Sequence, residues 1–416
     1  MTVISDRTGV AGASRILPAF TVDEFSRAML LDHCREMFGS LSRAEQRRAG
    51  AVYVAGLLDG TGRRSVRRIA QDADGDVSDQ SLQQFVHASA WDPAPVRQHL
   101  AGWACARVRP RGWVVDEVVF RKHGHHSAGV ERQYARGLGR IVNCQVGVYA
   151  ALATADLALP VTWRLALPRS WDDDAQRRRK ARIPPHVRHQ PLWRYQLAVL
   201  DDLFGDWGAP VAPVVLDARQ SWSGGEPLFE LADRGLEFLA QVNGAVADRL
   251  IGSRRVGGDR RAGSVSPSGA CGALSTAERQ TAVWHDPTTG RQLRAHFSCV
   301  RVRSSALGEP GRRGARRSWN VLVEWGLGKH RPRAFWVTNL VDRPLPELVG
   351  LTRLSPRAHA DLAEMGEGLG LTDYEGRSYL GWHHHVTLAS IAFALRRVGL
   401  GPVQQDPVPH EPPRGA

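Results

Sequence analysis

The sequence predicts an α/β fold in which helices flank a mixed sheet. The first observation is an apolar run rich in β-branched residues, 113–115, that ends on Asp116 and Glu117. The second is a similar run, 212–216, that ends on Asp217. Runs of this kind are typical of buried strands. Two aspartates are therefore expected at strand ends within the sheet.

The order of the segments between these aspartates is the third observation. Two further strand-like segments, 144–152 and 159–167, are followed by a helical segment, 192–204. Turn residues separate the first three strands, so they are expected to form an antiparallel meander. In a right-handed layout, the ends of the first and fourth strands then lie side by side.

Residues 21–108 show helical spacing with basic connections. Ser42 and Glu45 form a capping box that opens a helix reaching Leu58, and another helix is expected over 81–90. A module of this kind is suited to binding DNA. No recognition helix stands out, however, and basic helices are as often solvated faces.

The second half of the chain changes in character. Gly- and Arg-rich linkers bracket a β-patterned piece, 282–303, which continues at 319–325 and 334–339, before helical patterns return at 356–369 and 381–398. The patterns divide the chain into a flexible arm (1–20), a helical, possibly DNA-binding module (21–108), the first part of the core (109–243), a β-rich insertion (244–340), the helical end of the core (341–400) and a disordered tail (401–416).

Composition restricts the class of protein. The chain has 416 residues, too many for one ordinary core, with a formal net charge of +13 and a pI near 10.3. This charge favours a polyanionic partner, although an Arg-rich composition is also expected from a high-GC genome. The five cysteines form no CxxC pair, which predicts neither disulfides nor a cysteine zinc site. Without a signal peptide pattern or a long apolar segment, the expected location is the cytoplasm, with no membrane partner.

A carboxylate that closes a buried strand needs a cation. For Asp116, that cation is either a metal ion or a basic side chain nearby, such as Arg121, Lys122 or Arg132. Further bases surround the acids: His123, His125, His126, Arg136 and Arg140. Groups that hold a metal ion therefore stand beside groups that hold phosphate.

Several motifs in order carry a resemblance over roughly residues 35 to 395. They are QRR-x4-Y-x2-GLL-x-G from Gln46, LQQFV-x4-WDP from Leu82, VVDE-x2-F-x-KHG-x-HS-x-GV-x-RQY from Val114, G-x3-NCQ ending at Gln145, W-x-LALP-x-SW from Trp163, VVLDA from Val214 and YEGRS-x2-GWHHHVTL from Tyr374. The chain resembles the DDE-type transposases of bacterial insertion sequences, in the branch whose catalytic core carries a β-rich insertion.

The resemblance implies an RNase H-like core in which three carboxylates hold two Mg²⁺ or Mn²⁺ ions for phosphodiester cleavage and strand transfer. Asp116 and Asp217 match the first two metal-binding acids, and Lys122 matches the basic residue of the first motif. The implied partners are double-stranded DNA and further copies of the chain in a synaptic complex. The basic residues expected on DNA are Lys122, Arg63, Arg64, Arg132 and Arg178.

The third acid departs from the family pattern. Counting back from Tyr374 without gaps places His359 where the family has glutamate, and Gly366 where it has lysine. The nearest acids are Asp361 and Glu364, and the longer Glu364 is the preferred third catalytic residue. Around Asp217 the family's aromatic-Gly pair is replaced by the segment 219–221. The alternative is therefore a catalytically degenerate, transposase-derived DNA-binding protein.

Overall fold

A computed structural model gives the structure of the chain. It describes residues 3–5, 24–59, 62, 64–72, 77–219, 225–256, 274, 279–286, 290–303, 307 and 317–399. The expected tail, most of the expected arm and Arg63 lie outside these residues.

Helices lie between residues 24 and 107, as the N-terminal pattern predicts. Within the described residues they are α1 (Glu24–Met37), α2 (Ala44–Asp59), α3 (Val66–Asp72), α4 (Asp79–Gln83), which runs into a π-turn, and α5 (Pro93–Arg107). The Asp92 side chain accepts a hydrogen bond from the backbone N–H of Ala94 and so caps α5. Pro93 occupies the first turn, where a backbone N–H would have no partner within the helix, so its missing N–H costs no hydrogen bond. The predicted helices of this region are therefore present.

The described strands form one mixed sheet. They are β1 (Val3–Ser5), β2 (Gly112–Arg121), β3 (Glu131–Ala135), β4 (Arg140–Ala153), β5 (Ala158–Ala166), β6 (Val214–Asp217), β7 (Phe238–Val242), β8 (Gln280–His285), β9 (Gln292–Arg303), β10 (Ser318–Gly326) and β11 (Pro332–Thr338). Their order is β1-β8-β9-β10-β11-β7-β6-β2-β4-β3, and β5 also pairs with β4.

One end of the sheet contains the predicted meander. β2 is antiparallel to β4, and β4 is antiparallel to β5. Two details differ from the sequence-based expectation. The strand β3, which pairs with the first part of β4, was not predicted. In addition, β2 does not end at Asp116 but continues to Arg121, because its whole length, from Gly112 onwards, pairs with β4.

The segment expected as a β-rich insertion extends this sheet. β8 to β11 follow one another as antiparallel neighbours, and β11 pairs with β7, with Val337 opposite Ala240. This segment begins with a helix, α9 (Gly244–Val256), that the sequence pattern did not indicate. The insertion strands and the core strands therefore belong to one continuous hydrogen-bonded sheet.

The remaining helices cover the sheet. They are α6 (Ala175–Lys180), α7 (Leu192–Asp201), which runs into a π-turn, α8 (Glu226–Asp233), α10 (Leu345–Thr352), α11 (Leu354–Leu369) and α12 (Tyr379–Val398). Helix α12 is buried from Gly381 to Leu395 and packs on α2, α5 and β5. Trp382 meets Phe120 and Trp163 edge to face. The N-terminal helices and the sheet thus contribute to one continuous hydrophobic core.

A buried arginine holds the α5–α12 contact. The Arg97 guanidinium donates to Thr387 Oγ1 at 2.7 Å, to the Trp163 carbonyl at 2.8 Å, and to the carbonyl and Nδ1 of His383 at 3.0 Å. Arg97 is almost fully buried, and burial lowers its pKa to about 9. Since its hydrogen-bonding partners are neutral, this arginine is held by hydrogen bonds rather than by a paired carboxylate.

The three consecutive histidines of α12 contact different partners. His383 Nδ1 accepts from Arg97, the His384 ring nitrogens face the Val86 and Trp91 carbonyls, and His385 lies between Tyr53 Oη and the Leu371 carbonyl. Burial lowers the pKa of His384 and of His385 to about 4. These imidazoles are neutral and join α12 to the N-terminal helices.

Candidate functional site

Asp116 and Asp217 lie side by side on two adjacent interior strands of the sheet. β2 and β6 are parallel neighbours, with Val115 opposite Leu216, and the next step of the same register brings Asp116 to Asp217. The side chains of both aspartates are nearly buried. The expectation that the two carboxylates are adjacent agrees with this placement.

A single arginine joins the carboxylates of Asp116, Glu117 and Asp217, which we call the acidic centre. Arg136 follows β3 in a tight turn, and its guanidinium enters the space between the strands. Nη1 lies 2.8 Å from Asp217 Oδ2, Nε lies 3.1 Å from Glu117 Oε1, and Nη2 lies 3.3 Å from Asp116 Oδ1. The Arg136 side chain is 12% exposed. One buried positive charge therefore contacts three carboxylates.

Two further basic groups complete the acidic centre. His359 on α11 donates from Nε2 to Asp116 Oδ2 at 2.8 Å. The backbone N–H and the Nε of Arg219 lie 2.9 and 3.1 Å from Asp217 Oδ1, and the same Nε lies 2.9 Å from Oδ2. Each oxygen of both aspartates therefore accepts from at least one N–H group.

The charges set the protonation of the acidic centre. Burial alone raises the pKa of Asp116, but the hydrogen bond from His359 and the charge of Arg136 outweigh it and lower that pKa. For Glu117 burial prevails, and the neighbouring aspartates add to it, so its pKa is raised despite Arg136. The hydrogen bond to Asp116 raises the pKa of His359, and the three carboxylates raise the pKa of Arg136 against the effect of its burial. At neutral pH, Asp116 is ionised and Arg136 is charged.

Replacing His359 by glutamine is expected to lower the free energy of unfolding by up to about 1 kcal/mol at mildly acidic pH, since the His359 side chain is 59% exposed. The raised pKa of His359 means that the ion pair contributes fully below the unfolded value of about 6.5 and is lost as pH rises through the folded pKa. The lowered pKa of Asp116 means that the contribution is also lost in strong acid, as pH falls through the folded value.

Urea unfolding of both proteins at about pH 5.5 and about pH 9 measures this difference. The control is His186→Gln, which changes an exposed histidine that has no ion pair within the described residues. An equal loss at both pH values for the His359 variant contradicts the ion pair.

Comparison with protein-family models identifies the chain. The model of the DDE superfamily endonucleases matches residues 36–295, more than half of the sequence. The chain belongs to the DDE endonuclease superfamily. A search of curated proteins finds no match. The matched range includes both strands that carry Asp116 and Asp217, and it ends before α11, so His359 lies outside it.

Membership in the DDE endonucleases confirms the resemblance stated from the motifs. It also confirms the expected fold, a mixed α/β structure of the RNase H-like type with a large sheet flanked by helices. No described helix has the length and apolar character needed to cross a bilayer.

DDE endonucleases generally use divalent metal ions, and the residues of this acidic centre do not fit such ions as they are arranged. A two-metal site needs carboxylate oxygens that are open to the ions. In this chain Arg136 stands between Asp116, Glu117 and Asp217, and the aspartate oxygens are taken up by N–H donors. Where the family pattern has its third acid, this chain has His359, whose imidazole donates to Asp116. No set of three or more possible metal ligands is found within the described part of the chain.

The structure does not bring Glu364 or Asp361 to the acidic centre. Glu364 is held by the next helix, with Arg397 Nη1 3.0 Å from its Oε2 and Arg396 Nη2 3.3 Å from its Oε1. Asp361 is fully buried, where it pairs with Arg357 and accepts the backbone N–H of Ala158 at 2.7 Å. Both acids therefore tie α11 to its neighbours.

The basic residues expected on DNA divide into two groups. Arg64 and Arg178 are buried, and their guanidinium groups donate to backbone carbonyls, so both are structural. Lys122 is half-buried, and its ammonium donates to the Tyr374 carbonyl. Arg132 is exposed on β3. Arg63 lies outside the described residues.

Sequence reasoning missed the two arginines that contact the aspartates. Arg136 stood among the bases around the acids, but Arg121, Lys122 and Arg132 were considered as ion-pair partners in its place. The signal that points to Arg136 is the alternating segment 131–135, which forms a hairpin with β4 and turns the chain back at that residue. For Arg219, the departure from the family pattern beside Asp217 was the available signal.

Proposed function

We propose that this chain binds double-stranded DNA in the cytoplasm as a transposase-derived protein and does not cleave it. The observation that carries the proposal is the position of Arg136 between Asp116, Glu117 and Asp217. A guanidinium in this place supplies the positive charge that the carboxylates need, so the acidic centre is stable without a metal ion.

The energetic cost of opening the acidic centre supports this reading. Removing one partner of a buried ion pair costs about 3–5 kcal/mol. A divalent ion would have to displace Arg136 and also Arg219, which lies on both oxygens of Asp217. Such an ion would in addition meet His359 where the family pattern has a third carboxylate. These costs oppose the two-metal chemistry of the family.

Binding to DNA does not depend on the acidic centre being open. A cleft lies between the loop after β2, the start of β3, and α6. It is lined by His125, His126, Glu131, Arg132, Asp174, Gln176, Arg177 and Lys180. Arg132 and Lys180 are exposed, and neither side chain makes a hydrogen bond or an ion pair to another described residue. Guanidinium and ammonium groups of this kind bind the phosphates of a duplex.

Metal-dependent cleavage and strand transfer at the ends of an insertion sequence is the second candidate function. It is favoured by the register that places Asp116 beside Asp217 on parallel strands. This function needs Arg136 to leave the carboxylates, a third ligand other than Glu364, and a synaptic oligomer that holds two DNA ends.

A binding and cleavage experiment on duplex DNA tests the proposal. With EDTA present, we expect the logarithm of the binding constant to fall linearly with the logarithm of the salt concentration, by about 0.9 for each phosphate contact. The double variant Arg132→Ser/Lys180→Ser is expected to reduce this slope by about 1–2, because two phosphate contacts are lost. Arg303→Ser, an exposed arginine on β9, is the matched control.

The same duplexes with Mg²⁺ or Mn²⁺ are expected to remain intact. Cleavage that depends on either ion and is lost in Asp116→Asn supports the second candidate instead. A binding constant that does not change with salt contradicts both functions.

A further inference from the structure

The hairpin formed by β3 and β4 carries an unusual share of exposed apolar surface. Among the described residues, six large apolar side chains are exposed, and three of them lie on this hairpin. Tyr134 is 58% exposed, Leu138 is 42% exposed and Ile141 is 59% exposed. Exposed apolar residues scattered singly are ordinary, but a group of three on one element indicates a contact surface.

The register of the hairpin brings these side chains together. Tyr134 and Ile141 are direct cross-strand partners, so their Cβ atoms lie about 5 Å apart on one face. Leu138 is in the turn between the strands, which closes at Gly139 with a φ of +62°. We call Tyr134, Leu138 and Ile141 the apolar tip.

Basic side chains flank the apolar tip. Arg132 is two residues before Tyr134 and so lies on the same face of β3, whereas Arg140 precedes Ile141 at the turn and, opposite Ala135, lies on the other face of the hairpin. Both arginine side chains are exposed, and neither makes a hydrogen bond or an ion pair to another described residue. The chain between the strands is fixed by Arg136, which holds the base of the turn in the acidic centre. The apolar tip therefore lies next to Arg136, which contacts Asp116 and Asp217, and it has basic residues beside it.

We propose that this hairpin docks on DNA by placing the apolar tip against exposed base faces, with Arg132 and Arg140 on the adjacent phosphates. The inference rests on the proposed DNA binding and specifies the DNA feature that is recognised. An aromatic ring with two aliphatic neighbours fits the face of an unstacked base, and the arginines fit its backbone. Such faces are accessible at a frayed end or an unpaired segment but not inside a closed duplex.

The charge and size of the surface favour DNA over a second copy of the chain. Arg132 and Arg140 would repel their equivalents across a symmetric interface. Three side chains also cover far less than the roughly 800 Å² that each partner buries in a stable protein interface. A dimer contact is therefore an outcome that the test separates.

The experiment compares two duplexes of the same length, one fully paired and one with three unpaired terminal bases that include 2-aminopurine. The full-length parent is expected to bind the unpaired end roughly tenfold more tightly and to change the 2-aminopurine fluorescence. The triple variant Tyr134→Ser/Leu138→Ser/Ile141→Ser is expected to lose the preference and the fluorescence change and to keep its affinity for the paired duplex. Val211→Ser, which changes a side chain that is 75% exposed elsewhere, is the matched control.

The outcomes are distinct. A parent that binds both duplexes equally, or a triple variant that keeps the preference, overturns the role of the hairpin and leaves DNA binding intact. A parent that binds neither duplex overturns the proposed function together with this inference. A parent dimer in light scattering that the triple variant lacks, with an unchanged preference for the unpaired end, assigns the apolar tip to a subunit interface instead. Circular dichroism and unfolding midpoints equal to those of the parent show that the variant is folded.

Discussion

Replacing Arg136 by glutamine is expected to lower the free energy of unfolding by about 3–5 kcal/mol at neutral pH. Arg136 is the charge that Asp116, Glu117 and Asp217 share, and glutamine keeps hydrogen-bonding capacity but removes the charge. Three buried carboxylates then face one another with only His359 and Arg219 to compensate. Urea unfolding followed by tryptophan fluorescence measures the loss.

The same variant is expected to gain a response to divalent ions. With the guanidinium removed, magnesium at about tenfold to hundredfold its dissociation constant restores about 1–3 kcal/mol of stability to the variant, while the parent is unaffected. Arg132→Gln, on the same hairpin but exposed, is the control and is expected to change stability by less than about 0.5 kcal/mol. A parent that magnesium stabilises as much as the variant contradicts the closed acidic centre.

Arg97→Ala is expected to cost a similar amount, about 3–5 kcal/mol, for a different reason. The substitution leaves a cavity between α5 and α12, takes one of two side-chain donors from the Trp163 and His383 carbonyls, and leaves His383 Nδ1 without its donor. The Nε2 of His383 already has no hydrogen-bond partner, so the imidazole would lose its remaining hydrogen bond. Buried acceptors without donors are costly because water cannot reach them.

Equilibrium unfolding of the Arg97 variant measures this cost, with Arg67→Ala, an exposed arginine on α3, as the control. A loss below about 1 kcal/mol would mean that α5 and α12 are held by apolar contacts alone. Arg97→Lys separates charge from geometry. Lysine keeps the charge but not the planar donor pattern, so it is expected to restore only a part of the stability.

The elements of the sheet that contain the aspartates could be predicted because their signals are local. The apolar runs before Asp116 and Asp217 and the strand at 159–167 are readable over a few residues, and the structure has strands at each of them. The partner of the aspartates could not be predicted in this way. Arg136 is twenty positions beyond Asp116, and its approach depends on the pairing of β2 with β4 and with β6, whose partners are up to about a hundred positions apart in the chain.

The place of the family's third acid illustrates a second limit of prediction from sequence. Counting from Tyr374 placed His359 there, and the structure puts His359 on Asp116, yet acid chemistry favoured Glu364. Successive helix residues are rotated by about 100°, so Glu364 is turned about 140° away from His359 and Asp361 points to nearly the opposite side. Helix phase, rather than residue type, determines which side chain of α11 reaches the carboxylates.

The position of α12 at the centre of the hydrophobic core has a consequence for synthesis on the ribosome. Its partners α2 and α5 are made early, whereas α12 is completed only at Val398. Until α12 is made, the apolar faces of α2 and α5 that pack on it are uncovered, and uncovered apolar surface of this kind favours aggregation and chaperone binding. A stop codon before residue 379 removes less than a tenth of the sequence but leaves these faces without their partner, so the shortened product is a substrate for proteolysis.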